Sequence, residues 1–470
     1  MRRKRPPLII ENIKLTTAGA KGAAIGKTEE GKTVFVRNAI PGDTVNIRVT
    51  KRNKRFFEGI VTEVLEESPH RIQPECQHFG VCGGCKWQNM GYDTQLFYKE
   101  KEVKDNLERI GKINVDHCSP IMGSKEIFFY RNKLEFSFSN QRWITEDEMQ
   151  ENDVIEDRNA LGFHIPGRWS KILDVKKCWL QEDPSNAIRL EVKKFADEHD
   201  YEFFDPVEQA GFLRTLMIRT TTTGQVMVMI QFFKENEEQR IQLLEHLKQT
   251  FPQITSLLYA INPKGNDSVY DLDIQTYAGE DFIMEEMEGL NFKIGPKSFY
   301  QTNPKQAYEL YKVARDFANL SGDELVYDLY TGTGTIAQFV SKKAQKVIGV
   351  ESVQEAIDAA QENAKFNNID NCEFLCGDMK DVLNDDFVTK YGQPDVIITD
   401  PPRNGMHPKV VENILKIAPE KVVYVSCNSA TQARDLNLMK DDYDIVKIQP
   451  VDMFPQTYHV ENVVLMQRKS

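Results

Sequence analysis

At 470 residues, with 40% hydrophobic and 28% charged residues, the chain can hold roughly two to four domains and at least one large core. No apolar run approaches the roughly 18–20 residues that a membrane-spanning helix needs, which argues against an integral helical membrane protein. The net charge of −12 argues superficially against a nucleic-acid partner, yet residues 1–70 carry 14 Lys and Arg against 8 Asp and Glu, so a basic excess is confined to one end. That end begins Met1-Arg-Arg-Lys-Arg5-Pro-Pro, basic but without the apolar stretch of a signal peptide, and is read as cytosolic. Five short alternating segments broken by glycines follow, at 8–13, 22–27, 32–36, 43–50 and 57–64, and predict a small five-stranded barrel. The turn Pro41-Gly42-Asp43 is a reversal between two of them. The run Arg48-Val-Thr-Lys51-Arg52-Asn-Lys54-Arg55 with Phe56-Phe57 mixes cations and aromatics as a surface facing RNA would; a solvated basic hairpin is the plainer reading.

Pro69 and Pro74 mark a linker. The cysteine-rich stretch Cys76-Gln-His-Phe-Gly-Val-Cys82-Gly-Gly-Cys85 is followed by a helix over about 92–110, with Lys and Glu at three- and four-residue spacings. From 121 to 288 the pattern is mixed, with strands predicted at 134–139, 172–175, 215–220, 226–233 and 256–261. The acidic stretch 145–158 reads as a mobile loop. From Leu290 strands and helices alternate, the signature of a parallel sheet, with strands at 325–330, 346–351, 372–376, 396–400 and 422–427 and a closing antiparallel pair at 444–450 and 460–466. The fold class is therefore α/β multidomain: an N-terminal barrel at 1–70, a central α+β region at 71–289 and a Rossmann-like domain at 290–470, with the helix at about 92–112 packing on the last.

The chemistry concentrates in that last domain. After a strand, Gly332 and Gly334 in Asp328-Leu-Tyr-Thr-Gly332-Thr-Gly334-Thr335 let backbone approach a ligand, and Glu351 at the end of the next strand can accept both hydroxyls of a ribose. The third glycine of the dinucleotide fingerprint is absent, which favours an adenosine ligand without a pyrophosphate, namely S-adenosylmethionine. Asp378 ends the third strand where an adenine amino group can be held. Asp400-Pro401-Pro402-Arg403 closes the fourth strand over the same cleft; it has Arg403 where amino-group methyltransferases place a stacking aromatic, which disfavours amine methylation.

Cys427 ends the fifth strand. A pyrimidine carbon-5 is a poor nucleophile; a thiolate adding to carbon-6 makes an enolate and lets carbon-5 attack a sulfonium methyl. Removing the carbon-5 proton and expelling the thiolate then restores the ring, which needs a base, and Glu461 on the returning strand is the candidate. A lone strand cysteine is more often a small buried hydrophobe, but here Ser426, Asn428 and the Asp-Pro-Pro turn surround it. Cys76, Cys82 and Cys85 supply three soft ligands and Cys178 can supply a fourth; four thiolates suit zinc or an iron–sulfur cluster, and the absence of two paired C-x-x-C knuckles favours the cluster. His78 reads as a neighbour of these ligands, and Cys118, Cys372 and Cys376 as core or surface thiols.

Over essentially its whole length the sequence resembles the RNA uracil-C5 methyltransferase family, in particular its iron–sulfur branch acting on 23S ribosomal RNA. The resemblance is carried by the cysteine set, Tyr130-Arg-Asn-Lys-Leu134, Leu161-Gly-Phe163, Ser298-Phe-Tyr-Gln301-Thr-Asn303, the glycine turn, Asp400-Pro-Pro-Arg403, Val425-Ser-Cys427-Asn-Ser-Ala-Thr431 and His459-Val-Glu461. It implies a TRAM domain of OB-fold type at the N-terminus, Cys427 as nucleophile, Glu461 as base and a four-iron four-sulfur cluster on Cys76, Cys82, Cys85 and Cys178. It further implies cofactor contacts from Gln301, Tyr330, Thr335, Glu351, Asp378 and Asp400, and a monomer. Thr331, Thr335 and Ser429 depart from the family's commonest pattern. The leading expectation is a cytoplasmic enzyme that makes 5-methyluridine in 23S ribosomal RNA, with the base extruded into a pocket between the central and catalytic domains. The alternatives are the same chemistry on transfer RNA or on two sites of 23S RNA, and, in another class, a non-catalytic iron–sulfur RNA-binding protein.

Overall fold

The computed structural model describes residues 8–151 and 155–470, so the basic segment 1–7 and part of the acidic stretch 145–158 lie outside the described residues. Strands β1 (Ile9–Ala18), β2 (Ala24–Lys27), β3 (Thr33–Arg37), β4 (Thr44–Arg52) and β5 (Phe56–Glu66) close into a barrel in the order β1-β2-β3-β5-β4. Period-two alternation drives it: Ile13, Leu15, Val34, Val36, Val45 and Ile47 fill the interior. Asp43 ties the predicted turn to the linker, accepting from the Ile40 amide at 2.9 Å and the Ser68 amide at 3.0 Å and pairing with Arg71. Arg48, Lys51, Arg52, Lys54 and Arg55 all stand on the exposed side of the β4–β5 hairpin.

A second sheet holds β6 (Lys133–Ser139), β7 (Ala160–Ile165), β8 (Arg168–Asp174), β9 (Leu213–Thr220), β10 (Val226–Phe232), β11 (Ile254–Ile261) and β12 (Ile274–Gly279) in the order β12-β11-β10-β9-β6-β7-β8. Strands β9 and β10 are buried on both faces, which explains their unbroken apolar character. Leu216, Ile218, Val228 and Ile230 face the helices Ser185–Glu198 and Glu237–Thr250, whereas Met217, Met227, Met229 and Leu258 pack into the core of the C-terminal region. The stretch expected as a loop at 145–158 begins with a helical turn, Glu146–Glu151. Its cause is a local capping box: the Glu148 amide donates to Thr145 Oγ1 at 3.3 Å and the Thr145 amide to Glu148 Oε2 at 3.0 Å. A hairpin of β13 (Ile283–Met287) and β14 (Leu290–Ile294) crosses the expected boundary at 289–290.

The third sheet contains β15 (Leu325–Leu329), β16 (Lys346–Glu351), β17 (Cys372–Cys376), β18 (Val396–Thr399), β19 (Lys421–Ser426), β20 (Tyr443–Val451) and β21 (Glu461–Arg468) in the order β17-β16-β15-β18-β19-β21-β20. The first five run parallel, and β21 returns antiparallel between β19 and β20. The order reverses between β15 and β18, so a crevice opens at the carboxyl ends of those strands. The helix Tyr92–Asn106 and a following π-turn Leu107–Gly111 lie against this sheet: Val103 and Leu107 join its core, and Asn106 Nδ2 donates to Ser429 Oγ at 2.8 Å. Among the described residues no helix is long and apolar enough to cross a membrane.

Candidate active site

The glycine turn sits at the crevice. Tyr330 at φ 63°, Gly332 at φ 55° and Gly334 at φ 74° reverse the chain from β15 into the helix Thr335–Ser341. A Cβ at Gly334 would lie 2.8 Å from the Phe374 ring and 2.9 Å from Ala360, so only glycine fits; a Cβ at Gly332 would meet no atom within 4 Å, so that part of the turn faces free space. Thr331 Oγ1 donates to the buried Asp328 carboxyl at 2.5 Å and braces the turn from below. Glu351 faces it from β16: its Oε1 accepts from the Ser352 amide at 2.7 Å, the Ser352 hydroxyl at 3.0 Å and the Val353 amide at 3.1 Å, whereas Oε2 accepts from the Gly332 amide at 3.2 Å and keeps a lone pair for a ligand hydroxyl. Thr335 is buried beside the turn, its hydroxyl 3.4 Å from that of Thr333. Asp378 is exposed, caps the short helix Met379–Val382 and pairs with Lys380 at 2.6 Å. The Gln301 carbonyl accepts from Asn132 Nδ2 at 3.2 Å, a link from the second sheet that the sequence pattern did not reveal.

Cys427 leaves β19 and Glu461 opens β21, two strands paired so that Ser426 faces Asn462. The Asp400-Pro-Pro-Arg403 turn is stitched onto the cysteine turn, because the Arg403 carbonyl accepts from Asn428 Nδ2 at 2.9 Å and Thr431 Oγ1 at 3.2 Å. Asn428 also caps the helix Ser429–Met439 through the Ala430 amide at 3.1 Å. Burial, reinforced by Asp400, pushes the Glu461 carboxyl up to about 8. Burial and then Asp328 push Asp400 to about 7, and burial is also the main reason Asp328 stands at about 7. The Cys427 thiol is pushed up to about 11 by burial and then by Glu461 and Asp400, while the positive charge of the neighbouring Arg403 pulls it down. Arg403 is therefore the group that favours a thiolate, a role that sequence reasoning missed because it registered only the missing aromatic. The cleft disfavours several negative charges at once: a thiolate is easiest beside a protonated Glu461, and once the sulfur is tied up in a covalent bond the Glu461 carboxylate is easier to form.

The four remaining candidate cysteines, Cys76, Cys82, Cys85 and Cys178, line one cavity of about 370 Å³ together with His78, Phe163, Arg131 and Trp179. Gly84 N lies 3.5 Å from Cys82 Sγ, and Gln88 Nε2 donates to Cys85 Sγ at 3.2 Å. His78 Nε2 accepts from the Lys176 amide at 2.8 Å and so joins the cysteine-rich loop to the loop that bears Cys178. Burial pushes Cys82 to about 11 and Cys85 to about 12, and each thiolate would raise the others. Among the described residues no group of three or more His, Cys, Asp or Glu side chains is arranged to hold a metal ion. Cys118, Cys372 and Cys376 are half-buried or exposed; Cys376 stands opposite Glu351 at the end of β17, and Cys372, at its start, donates to the Ala337 carbonyl at 3.7 Å.

A glycine turn facing an acid across a switch-point crevice, with a cysteine and a buried carboxyl at the ends of adjoining strands, defines a methyltransferase fold. Residues 209–469 match the family described as tRNA (Uracil-5-)-methyltransferase, and residues 10–62 match the TRAM domain, the observed barrel. An uncharacterized RNA methyltransferase of Bacteroides thetaiotaomicron is 54% identical, covering 95% of this chain and 99% of that protein, and one of Porphyromonas gingivalis is 52% identical over 97% and 100%. The crystal structure of Pyrococcus abyssi tRNA (uracil-54, C5)-methyltransferase in complex with S-adenosyl-L-homocysteine is 27% identical with a TM-score of 0.75, covering 97% of this chain and 100% of that one. The chain belongs to the tRNA (uracil-5-)-methyltransferase family, as an RNA methyltransferase dependent on S-adenosylmethionine.

Proposed function

We propose that the protein converts a uridine of 23S ribosomal RNA to 5-methyluridine in the cytoplasm, with Cys427 as nucleophile and Glu461 as base. One observation carries this reading: the Cys427 thiol, at the end of one strand, and the buried Glu461 carboxyl, at the start of its paired neighbour, act on each other electrostatically, with the Arg403 charge beside them. The Cys427 sulfur adds to carbon-6 of the uracil and electrons move to O4, where the enolate raises the nucleophilicity of carbon-5. S-adenosylmethionine, when bound, supplies the electrophilic methyl. Glu461 then takes the carbon-5 proton, the carbon–sulfur bond breaks and Cys427 returns as thiolate, held by Arg403. Gly332, Gly334, Tyr330, Thr335 and Gln301 form the cofactor wall, Glu351 takes the ribose hydroxyls, Asp378 the adenine amino group, and Asp400 closes the cleft; the free space over Gly332 and the lone pair left on Glu351 Oε2 support this fit.

We further propose a division into 1–70, 71–289 and 290–470, with the barrel's exposed cations gripping flanking RNA. The cysteine cavity suits a four-iron four-sulfur cluster on Cys76, Cys82, Cys85 and Cys178. That all four thiols line one cavity of about 370 Å³ supports this placement. Transfer RNA as substrate is a second reading, favoured by the full-length likeness to the Pyrococcus abyssi enzyme. Labelled S-adenosylmethionine incubated separately with unmodified 23S ribosomal RNA and unmodified transfer RNA, followed by nucleoside digestion, tests both. Labelled 5-methyluridine in ribosomal RNA is the expected result, at one position or two. Label in transfer RNA alone moves the substrate, and label in neither favours a non-catalytic RNA-binding protein.

A further inference from the structure

The loop 452–460 joins β20 to β21 and ends on Glu461, and it is fastened from outside by side chains more than 300 residues away in sequence. Along one face of the helix Tyr92–Asn106, Lys99 Nζ donates to Asp452 Oδ1 at 2.6 Å and to the Phe454 carbonyl at 3.1 Å. The Tyr92 hydroxyl donates to the other Asp452 oxygen at 2.9 Å. Both members of the Lys99–Asp452 pair are 0% exposed. One turn earlier Gln95 and Gln456 interlock: Gln95 Nε2 donates to Gln456 Oε1 at 3.0 Å, and the Gln456 amide donates to Gln95 Oε1 at 2.9 Å. From a second direction the Lys86 and Trp87 amides, immediately after Cys85, both donate to the Gln456 carbonyl, at 2.8 and 3.1 Å. The Tyr130 hydroxyl donates to the Pro455 carbonyl at 2.9 Å. Gln456 is held at φ 66°, so the loop is pinned at a bend that few residues adopt.

A buried ion pair adds little net stability over an apolar pair of the same volume, and what it can add is a single permitted geometry. We propose that Lys99 and Gln95 are positioning residues for the elimination step: through Asp452 and Gln456 they fix the loop that delivers Glu461 into the cleft. This rests on the reading of Glu461 as the base. Neither side chain touches the reacting atoms, so the loss of either leaves Cys427 and Arg403 in place while Glu461 is free to drift. Addition and methyl transfer then continue and release of the product slows.

The test is a single-turnover reaction with labelled S-adenosylmethionine and the RNA substrate, read two ways: as protein–RNA complex that survives denaturation, and as released 5-methyluridine. Lys99→Met leaves a buried carboxylate uncompensated and can unfold the chain; the paired Lys99→Met/Asp452→Asn change and the separate Gln95→Leu change are therefore measured beside it, each with a thermal melt. Folded variants are expected to release product at least about tenfold more slowly, a barrier change of one decade, with methyl transfer slowed by less than about threefold and the methylated adduct accumulating. Methyl transfer and release falling together in folded variants, or neither changing, overturns the proposal. Glu461→Gln is run alongside. If it traps adduct and the helix variants do not, the positioning role fails alone; if it traps nothing and turns over, the base assignment fails and the positioning role with it.

Discussion

Two groups of thiols in this molecule differ in what surrounds them. The thiols of Cys82 and Cys85 are pushed up by burial first and then by neighbouring cysteines, with the Gly84 and Gln88 amides as hydrogen-bond donors and Lys86 as a weaker pull on Cys82. Cys427 is also pushed up by burial, but its further neighbours are acidic and basic side chains: Glu461 and Asp400 raise it and Arg403 pulls it down. Thiolates in the first group need a cationic centre to exist at all, whereas the thiolate in the second can form and dissolve within a catalytic cycle as its neighbours change protonation. The difference teaches that cysteine role is written in the partner set, since both groups are partly accessible and neither is bonded to another sulfur.

Exchanging cysteines between these roles gives the largest effect. Cys427→Ala is expected to lower methyl incorporation by about 10⁴-fold or more while S-adenosylhomocysteine binding, followed by calorimetry, stays within about twofold. Retained turnover would place the nucleophile elsewhere. Arg403→Gln removes the cation that pulls the thiol down; an opposite charge beside a titrating group shifts its pKa by about 1–3 units, which predicts a fall of roughly tenfold or more in the addition rate. The same variant should slow alkylation of Cys427 by iodoacetamide at pH 8, and unchanged alkylation would sever Arg403 from the thiolate. In the other group, protein purified without oxygen is expected to contain about four irons per chain, and Cys82→Ser should lose iron and melt at a lower temperature. One zinc per chain in place of iron would break the comparison on that side.

The smallest effect is in stability. The carboxyls of Glu461, Asp400 and Asp328 titrate higher in the folded chain than their ordinary values of 4.5, 3.8 and 3.8, at about 8, 7 and 7. The folded state therefore holds protons that the unfolded state has already released. The stabilisation they contribute is fully present below about pH 4 and is lost as pH rises through about 7 to 8. Denaturant midpoints of the cofactor-free protein should fall across that range. Glu461→Gln should flatten part of the slope, leaving the variant more stable than the parent at pH 8.5 and little different at pH 4.5. Parallel curves would show that Glu461 ionises freely.

Much of this was legible in the sequence because it is local. The alternation of Val34 and Val36, the apolar runs at 347–350 and 422–425, and the glycines of the 332–334 turn each reflect contacts within a strand or a turn, so the barrel and the parallel sheet follow from short windows. Cys427, Glu461 and Glu351 were readable because strand ends are where such a sheet keeps its ligands. The helical turn at 146–151 was hidden by acidic composition, although Thr145 and Glu148 carry a capping signal. The anchorage of Gln301 by Asn132, the influence of the Arg403 charge on the Cys427 thiol and the Lys99–Asp452 pair were not legible, since each joins residues whose adjacency exists only once separate strands, turns and helices have docked.

The most direct test of the account uses RNA in which uridine is replaced by 5-fluorouridine, because carbon-5 then carries no proton for Glu461 to remove and the adduct cannot resolve. After reaction with S-adenosylmethionine, digestion and mass spectrometry, the account predicts one peptide, the one containing Cys427, bearing a methylated fluorouridine nucleotide. Covalent nucleotide on any other residue, or no adduct from a protein that still methylates ordinary RNA, would contradict it.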